Sequence, residues 1–437
     1  MNAASLYELN DRFVLHSNRR PKTVIFDKAE GSRLWDIEGK EYLDLLSSNM
    51  GPAMVGHSHP AVVEAISRQA AELISTNILY DNAPLVRLCA KIAEIAPPGI
   101  TKTYICPGGG EANEAAIKLA IELTGRTGVV SLTGAYHGQS LGTMSLCGMP
   151  ALRDRIPEPL RSPTYGQILS ADPYRPWTSD LEGDWKASLQ ALEARGDEVA
   201  AVIIEPIQAV AGHVVFTPEY YADVQRVCRE RGILLIADEI QTALGRCGAL
   251  WGCELVALRP DIITTGKAFG AGLPYGAIHV RGDLVTDELE RSPWHMVSAQ
   301  GNPLQAAVAL AVIGIVEGEG LVERSRALGD RARRCFEEMA ERYDVIGDIR
   351  GPGLFIGVDL VEDRATRMPA TAACEEAWAF ALDRGLITQF AGPGANVFKL
   401  KPPLTVPEED FERMLAGAEE VIAFVQQRVS ERQRVSV

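Results

Sequence analysis

The sequence predicts an α/β protein in which helices flank a mainly parallel sheet, with a smaller α+β domain toward the C-terminus. From about residue 84 to residue 280, helical patterns alternate with short β-branched runs, as in a parallel sheet covered by helices. Beyond residue 342 the pattern changes to short strands followed by a helix. The 46% hydrophobic content of the 437 residues is enough for large cores.

The strands of the main sheet are predicted from apolar runs bounded by glycine, proline or charged residues. Glu205 and Asp238 lie at the ends of two of these runs, and Lys267 lies just beyond a third. Because ligands of such sheets collect at the carboxyl ends of the strands, we expect these three residues in one crevice. The predicted strands are 102–106, 128–132, 200–205, 233–238, 262–265 and 275–280.

The chain is expected to form a large domain over residues 56–320 and a small domain over 321–437. Residues 1–55 have too little core of their own and should pack beside the small domain. The proline-rich stretch 151–184 indicates a long surface excursion, and the alanine-rich run 304–316 indicates a buried helix. The other predicted elements are strands 23–27, 33–36, 345–349 and 354–360, a helical stretch 303–342 and a helix 407–429.

The charge of the chain argues against two classes of partner. A net charge of −15 and a pI near 5.1 repel nucleic acid and anionic membranes.

The eight cysteines are scattered without Cys-x-x-Cys spacing, and Glu8, Asp11 and Arg12 interrupt any secretory signal, so we expect a cytoplasmic protein. His57 and His59 lack acidic or cysteine partners at ligand spacing, so no metal is expected.

Lys267 and Asp238 are the two residues that most constrain the chemistry. A lysine can bond covalently to an aldehyde as an imine, and a buried aspartate can hold a pyridine nitrogen protonated. Together they suggest pyridoxal phosphate as the cofactor. Alone, such a lysine is usually a solvated loop residue and such an aspartate a helix start, so the prediction depends on further parts of a cofactor site.

Three further features of the sequence fit that cofactor. Gly109 and Gly110 follow a strand and open a helix, where backbone N–H groups favour a phosphate. Tyr136 offers an aromatic face for a planar ring, and Gln241 could hydrogen-bond the ring hydroxyl. Taken singly, the glycines also fit a flexible connection and the tyrosine fits a core position.

The order of these motifs resembles the class III pyridoxal-phosphate aminotransferases of fold type I, the ornithine and 4-aminobutyrate aminotransferase group. The resemblance implies a seven-stranded sheet and a homodimer in which Ser298 reaches the neighbouring subunit's phosphate. It also implies that Glu205 belongs to the cofactor site and that Lys267 bonds to the cofactor. The matching motifs are Gly56-His57, Pro107-Gly108-Gly109-Gly110, Tyr136-His137-Gly138, Glu205-Pro206, Asp238-Glu239, Lys267, Gly301-Asn302-Pro303, Gly351-x-Gly353 and Pro402-Pro403-Leu404.

The resemblance places Met50, Val210 and Lys399 in the substrate-binding part of the site, and two of these depart from the family pattern. Lys399 stands where family members acting on α-amino acids carry an arginine. A lysine lacks the planar guanidinium that donates two parallel hydrogen bonds to a carboxylate. Val210 stands where ω-amino acid enzymes often carry a glutamate. These departures favour a non-standard amine substrate, such as an amino sugar or aminoglycoside.

Two other activities are open on the same scaffold. The motifs are also similar to the branch that holds dialkylglycine decarboxylase and aminolactam racemase. In such enzymes, the bond that breaks at the substrate carbon is the one held perpendicular to the cofactor ring. Contacts between the substrate and the pocket decide which bond is held in that position. Racemisation, epimerisation and decarboxylation are therefore alternatives to amino transfer, and a cofactor-binding scaffold without turnover is the remaining one.

Overall fold

The structure of the protein is a computed structural model that describes residues 3–17, 23–48 and 50–435. The strands are β1 (Phe26–Glu30), β2 (Arg33–Asp36), β3 (Glu41–Asp44), β4 (Ile100–Cys106), β5 (Gly128–Leu132), β6 (Tyr165–Ile168), β7 (Val199–Ile204), β8 (Leu234–Asp238), β9 (Ile262–Gly266), β10 (Gly276–Arg281), β11 (Ile346–Arg350), β12 (Ile356–Asp363), β13 (Met368–Pro369), β14 (Leu386–Ile387), β15 (Phe390–Ala391) and β16 (Val397–Leu400).

The helices are α1 (Ala3–Phe13), α2 (Pro60–Glu72), α3 (Ala83–Ile95), α4 (Gly109–Thr124), α5 (Leu141–Ser145), α6 (Pro150–Arg153), α7 (Leu181–Ala194), α8 (Pro218–Arg231), α9 (Gly252–Leu255), α10 (Asp287–Arg291), α11 (Pro303–Gly318), α12 (Leu321–Ala340), α13 (Thr371–Asp383) and α14 (Glu408–Val435). Short 3₁₀ turns lie at Glu158–Leu160, Lys267–Gly270 and Gly282–Leu284.

The main sheet has seven strands in the order β4-β10-β9-β8-β7-β5-β6. All neighbours pair in parallel except β10, which runs antiparallel to both β4 and β9. All six residues of β7, Val-Ala-Ala-Val-Ile-Ile, are buried, because a central strand with both faces covered needs a continuous apolar run. The predicted fold, a mainly parallel seven-stranded sheet with flanking helices, is confirmed.

The seventh strand corrects one expectation. The stretch 151–184 was expected to be a surface excursion, but β6 lies within it and pairs in parallel with β5, from Val129 opposite Tyr165 to Leu132 opposite Ile168. The residues of β6 are Tyr-Gly-Gln-Ile, and only Ile168 is buried. An edge strand of this kind has one protected side and little burial, so it carries no apolar run in the sequence.

The helical stretch expected over 303–342 forms two helices. Asn302 starts α11 by accepting hydrogen bonds from the N–H groups of Leu304 and Gln305, and Gly320 has a left-handed φ of 60° between α11 and α12. None of the described helices, taken singly, is long and apolar enough to cross a bilayer. Among the described helices, α11 and α12 meet the criteria of length and apolar composition only as a pair, and they are bent by 63° at their break.

The N-terminal strands share a sheet with the C-terminal part of the chain. This sheet has the order β1-β2-β3-β14, and β3 pairs in parallel with β14 through Leu43 and Leu386. The strand expected at 23–27 is misplaced, since β1 begins at Phe26, whereas β2 occupies the expected residues. A third sheet, β11-β12-β16-β15, carries Lys399 on β16. The domain boundaries at 55 and 320 stay predictions.

Candidate active site

A cavity of about 480 Å³ lies at the carboxyl ends of the central strands, where β7, β8 and β9 end side by side. Seven of the residues predicted for the site line this one cavity: Gly109, Gly110, Tyr136, Glu205, Asp238, Gln241 and Lys267. The sheet topology brings them together, since parallel strands end at the same edge although the residues are far apart in the sequence.

One end of the cavity is formed by the start of α4. The helix begins at Gly109, and its N-cap, Gly108, offers no side-chain hydrogen bond, so the first N–H groups of a 16-residue helix are available to a ligand. Gly138 lies against this turn with a φ of +138°, and a Cβ added there would come within 2.9 Å of the Gly110 Cα. This end of the cavity is therefore suited to a phosphate.

Asp238, the last residue of β8, is fixed by three donors. Its Oδ2 accepts hydrogen bonds from Asn113 Nδ2 and His137 Nδ1, each at 2.8 Å, and its Oδ1 accepts one from the Ile240 N–H at 3.1 Å. The residue is only 4% exposed. These contacts hold the carboxyl group at the border of the cavity, where it can accept a hydrogen bond from a protonated ring nitrogen.

Asn113 and His137 were given no role by the sequence reasoning. His137 belongs to a quoted motif, but its neighbour Tyr136 was chosen for its aromatic face. Asn113 could have been found from spacing, because it lies four residues after Gly109 and so on the same face of α4. The spacing does not show that Asn113 contacts Asp238.

Lys267 follows the last residue of β9 directly, and its backbone has a φ of +38°, a left-handed conformation that non-glycine residues seldom adopt. Among the described residues, its amine has no hydrogen-bond partner. Burial lowers the pKa of the amine, while the nearby charges of Asp238 and Glu205 raise it. A lysine with a lowered pKa is a better nucleophile near neutral pH, because more of it is the neutral amine.

Glu205 joins two loops of the cavity wall. Its Oε1 accepts a hydrogen bond from the Tyr136 N–H and its Oε2 accepts one from the Ala209 N–H, both at 2.9 Å. Burial raises the pKa of Glu205 to about 7, although the charge of His137 opposes that rise. Glu205 thus fixes the backbone of Tyr136, whose ring borders the cavity.

Gln241 lines the cavity and contacts a buried lysine behind it. Its Oε1 accepts a hydrogen bond from Lys401 Nζ at 3.0 Å. Lys401 and Lys399 are each 1% exposed, and their spacing of two residues puts both side chains on the same face of the extended chain. The sequence reasoning missed Lys401, although this alternation was readable beside Lys399.

Four predicted residues lie outside the lining of the cavity. Lys399 is close enough to Glu205 and Lys267 to feel their charges, and burial lowers its pKa to about 8. Val210 uses its carbonyl to accept a hydrogen bond from the Gly392 N–H at 3.0 Å. Met50 lies half-buried in a turn and Ser298 is exposed. The roles expected of these four residues stay predictions.

The residues that do line the cavity form a set that fits pyridoxal phosphate. The helix start suits the phosphate, Asp238 suits the ring nitrogen, and the unpaired amine of Lys267 suits the aldehyde. Each of these groups borders the same space. The Lys267 amine is unpaired, and Asp238 Oδ1 accepts a single N–H, so it can accept a second hydrogen bond.

Comparisons with known proteins agree with this geometry. The sequence profile described as "Aminotransferase class-III" matches residues 14–422. The isoleucine 2-epimerase of Lentilactobacillus buchneri is 33% identical, over 97% of this chain and 95% of that protein. The leucine/methionine racemase of Thermococcus litoralis is 36% identical, over 92% and 91%. A crystal structure of a transaminase from the marine bacterium Virgibacillus has a TM-score of 0.90 at 28% identity, covering 97% and 100% of the two chains.

Proposed function

The chain belongs to the class III aminotransferase family, whose members depend on pyridoxal phosphate, and we propose that it moves an amino group between an amine donor and a carbonyl acceptor. Bound pyridoxal phosphate supplies an electron-withdrawing ring that stabilises negative charge at the substrate carbon. In this proposal Asp238 keeps the ring nitrogen protonated, and Lys267 removes and returns the proton at the reacting carbon.

The observation that carries the proposal is that the cavity has one group free to act as a base. Among the described residues that line it, His137 is hydrogen-bonded to Asp238 through Nδ1, and its other ring nitrogen, Nε2, is unpaired but has no exposed surface. Both oxygens of Glu205 accept backbone N–H groups. Burial raises the pKa of Tyr136, so its phenol stays protonated. Lys267 alone keeps an unpaired amine. A single base can shift a proton within one face of the substrate, which is what amino transfer requires.

Racemisation or epimerisation is the second candidate, and two relatives support it beside others that are aminotransferases. The named relatives include an isoleucine 2-epimerase and a leucine/methionine racemase. Such a reaction returns the proton to the opposite face of the substrate carbon, so it needs a second proton donor there or a movement of Lys267. Lys399 and Lys401 are further amines whose pKa values respond to the charge of Lys267, but both lie outside the cavity lining.

One experiment separates the two candidates. The protein is loaded with pyridoxal phosphate and incubated in heavy water with one enantiomer of isoleucine, leucine or methionine, with and without a keto acid. Amino transfer predicts stoichiometric carbonyl product that depends on the keto acid, with no opposite enantiomer. Appearance of the deuterated opposite enantiomer without any keto acid would contradict the aminotransferase proposal and support the second candidate.

For the substrate, we propose an amine that has no carboxylate requiring a bidentate arginine contact, such as an amino sugar or aminoglycoside. Lys399 replaces the arginine of the family and is buried behind the wall, so it offers one point charge at most. Replacing Lys399 with alanine tests this. If carboxylated and uncharged amines lose activity equally, Lys399 does not bind the carboxylate; a selective loss for carboxylated amines would contradict this substrate class.

We also propose that the protein is a cytoplasmic homodimer, as the family resemblance and the composition favour. Ser298 is exposed, and large apolar side chains near it are exposed as well: Leu79 by 76%, Tyr80 by 72% and Met296 by 58%. A second copy of the chain would cover such side chains and bring Ser298 to its neighbour's site. Sedimentation equilibrium tests this, because a monomer at micromolar concentration would contradict it.

A further inference from the structure

Lys401 is a fully buried lysine for which neither the sequence motifs nor the proposed reaction supplies a role. It is 1% exposed, and its amine also lies 5.8 Å from the centre of the Phe355 ring. Burial lowers the pKa of this amine, and so do the charges of Lys399, Arg246 and Lys267, while the charge of Asp44 opposes them. Burying an amine in surroundings that disfavour its charge does not stabilise the fold, so stability does not explain a lysine at this position.

The main chain around Lys401 is held firmly on both sides. The Lys401 N–H donates to the carbonyl of Leu45 at 2.8 Å, and the Lys401 carbonyl accepts from Ser47 Oγ at 2.8 Å. The next carbonyl, that of Pro402, accepts from the Arg246 guanidinium at 2.7 Å. These contacts fix the point from which the Lys401 side chain starts, so its amine reaches Gln241 from a set direction.

The contact with Lys401 decides which way the Gln241 amide faces. An amide group presents an oxygen on one side and an NH₂ group on the other, and the lysine amine donates its hydrogens. The oxygen of Gln241 must therefore face Lys401, as it does at 3.0 Å. Because Gln241 also lines the cavity, its NH₂ group is left to donate on the cavity side.

We infer that Lys401 is a positioning residue, which holds Gln241 so that an amide N–H faces the ring hydroxyl oxygen of the bound cofactor. The inference rests on the proposed function, because it assumes that pyridoxal phosphate occupies the cavity. An N–H donor to that oxygen favours its deprotonated form. Without Lys401, Gln241 could rotate and present its oxygen instead, which would disfavour the anion.

The test uses a double-mutant cycle of Lys401→Met and Gln241→Leu in the full-length protein loaded with pyridoxal phosphate. The readouts are the pH midpoint of the change in the cofactor's visible absorption and the dissociation constant for pyridoxal phosphate. Lys401→Met is expected to raise the midpoint by about one pH unit and to weaken cofactor binding about tenfold. In the Gln241→Leu background, the same change should have little further effect.

Lys399→Met is the matched control, because it removes an equally buried amine from the same face of the chain without removing a bond to Gln241. It should move the midpoint less than Lys401→Met does, and thermal unfolding of the cofactor-free variants checks that both fold. An unchanged midpoint in Lys401→Met, or a full shift that persists in the Gln241→Leu background, would overturn the inference while leaving the proposed function intact. If the wild-type protein acquires no visible band with pyridoxal phosphate, the proposed function fails, and the inference fails with it.

Discussion

Replacing Lys399 with methionine should stabilise the protein near neutral pH, and the gain should disappear in alkaline solution. Lys399 is 1% exposed, and burial lowers its pKa from 10.5 to about 8. Below the lower value the lysine is charged in both the folded and the unfolded states, so the folded state bears the full cost of burying the charge. Methionine has a similar length and no charge, so it removes that cost with little change in packing.

The size of the gain follows from the shift in pKa. The difference between 10.5 and about 8 is about 2.5 units, and each unit corresponds to about 1.4 kcal/mol, so the gain is roughly 3.5 kcal/mol near neutral pH. For a chain of 437 residues, this corresponds to a rise of about 4 °C in the midpoint of thermal unfolding.

The pH dependence supplies the sharper test. Between pH 8 and pH 10.5 the unfolded wild-type chain holds a proton on Lys399 that the folded chain has lost, so the contribution of Lys399 to wild-type stability rises with pH over that window. The advantage of Lys399→Met should therefore shrink through the window and vanish above it. The assay is thermal unfolding of both cofactor-free proteins across this range. A variant that is less stable near neutral pH, or a gain that does not change with pH, would refute the assignment of Lys399 as a buried amine without a compensating partner.

Two further changes test other parts of the site. Asp238→Asn should keep the covalently bound cofactor but lower kcat about a hundredfold or more, because an amide cannot hold the ring nitrogen protonated; unchanged turnover would contradict that role of Asp238. Gly138→Ala should weaken binding of pyridoxal phosphate and lower the unfolding midpoint, because its Cβ would lie 2.9 Å from the Gly110 Cα in a backbone with φ of +138°. Titration of the cofactor-free protein measures the affinity, and wild-type affinity in that variant would show that the two turns are not closely packed.

The main sheet and the residues at its strand ends could be predicted because buried parallel strands have continuous apolar sequences. Val199–Ile204 is fully buried, and the polar residues that follow such runs fall at one edge of the sheet. Glu205, Asp238 and Lys267 were placed in one crevice for that reason. By contrast, Tyr165–Ile168 has one buried residue, and its pairing with β5 leaves no periodic signal.

The second layer of the site could not be predicted, because it depends on contacts between distant segments. Asn113 reaches Asp238 from a helix 125 residues earlier, and Lys401 reaches Gln241 from a strand end 160 residues later. From a single sequence one can infer on which face of its helix or strand a side chain lies. One cannot infer which other segment of the chain packs against that face. Lys399 and Lys401 illustrate the point, since alternation puts them together and only the fold shows that both are buried.

The proposed covalent bond between Lys267 and the cofactor is tested most directly by peptide mass spectrometry after borohydride reduction. The protein is loaded with pyridoxal phosphate, reduced and digested, and the site of the added phosphopyridoxyl group is located by fragmentation. We expect the group to be attached to Lys267 and to be absent from Lys267→Ala. Labelling of Lys399, Lys401 or another lysine in place of Lys267, or no specific label, would contradict it.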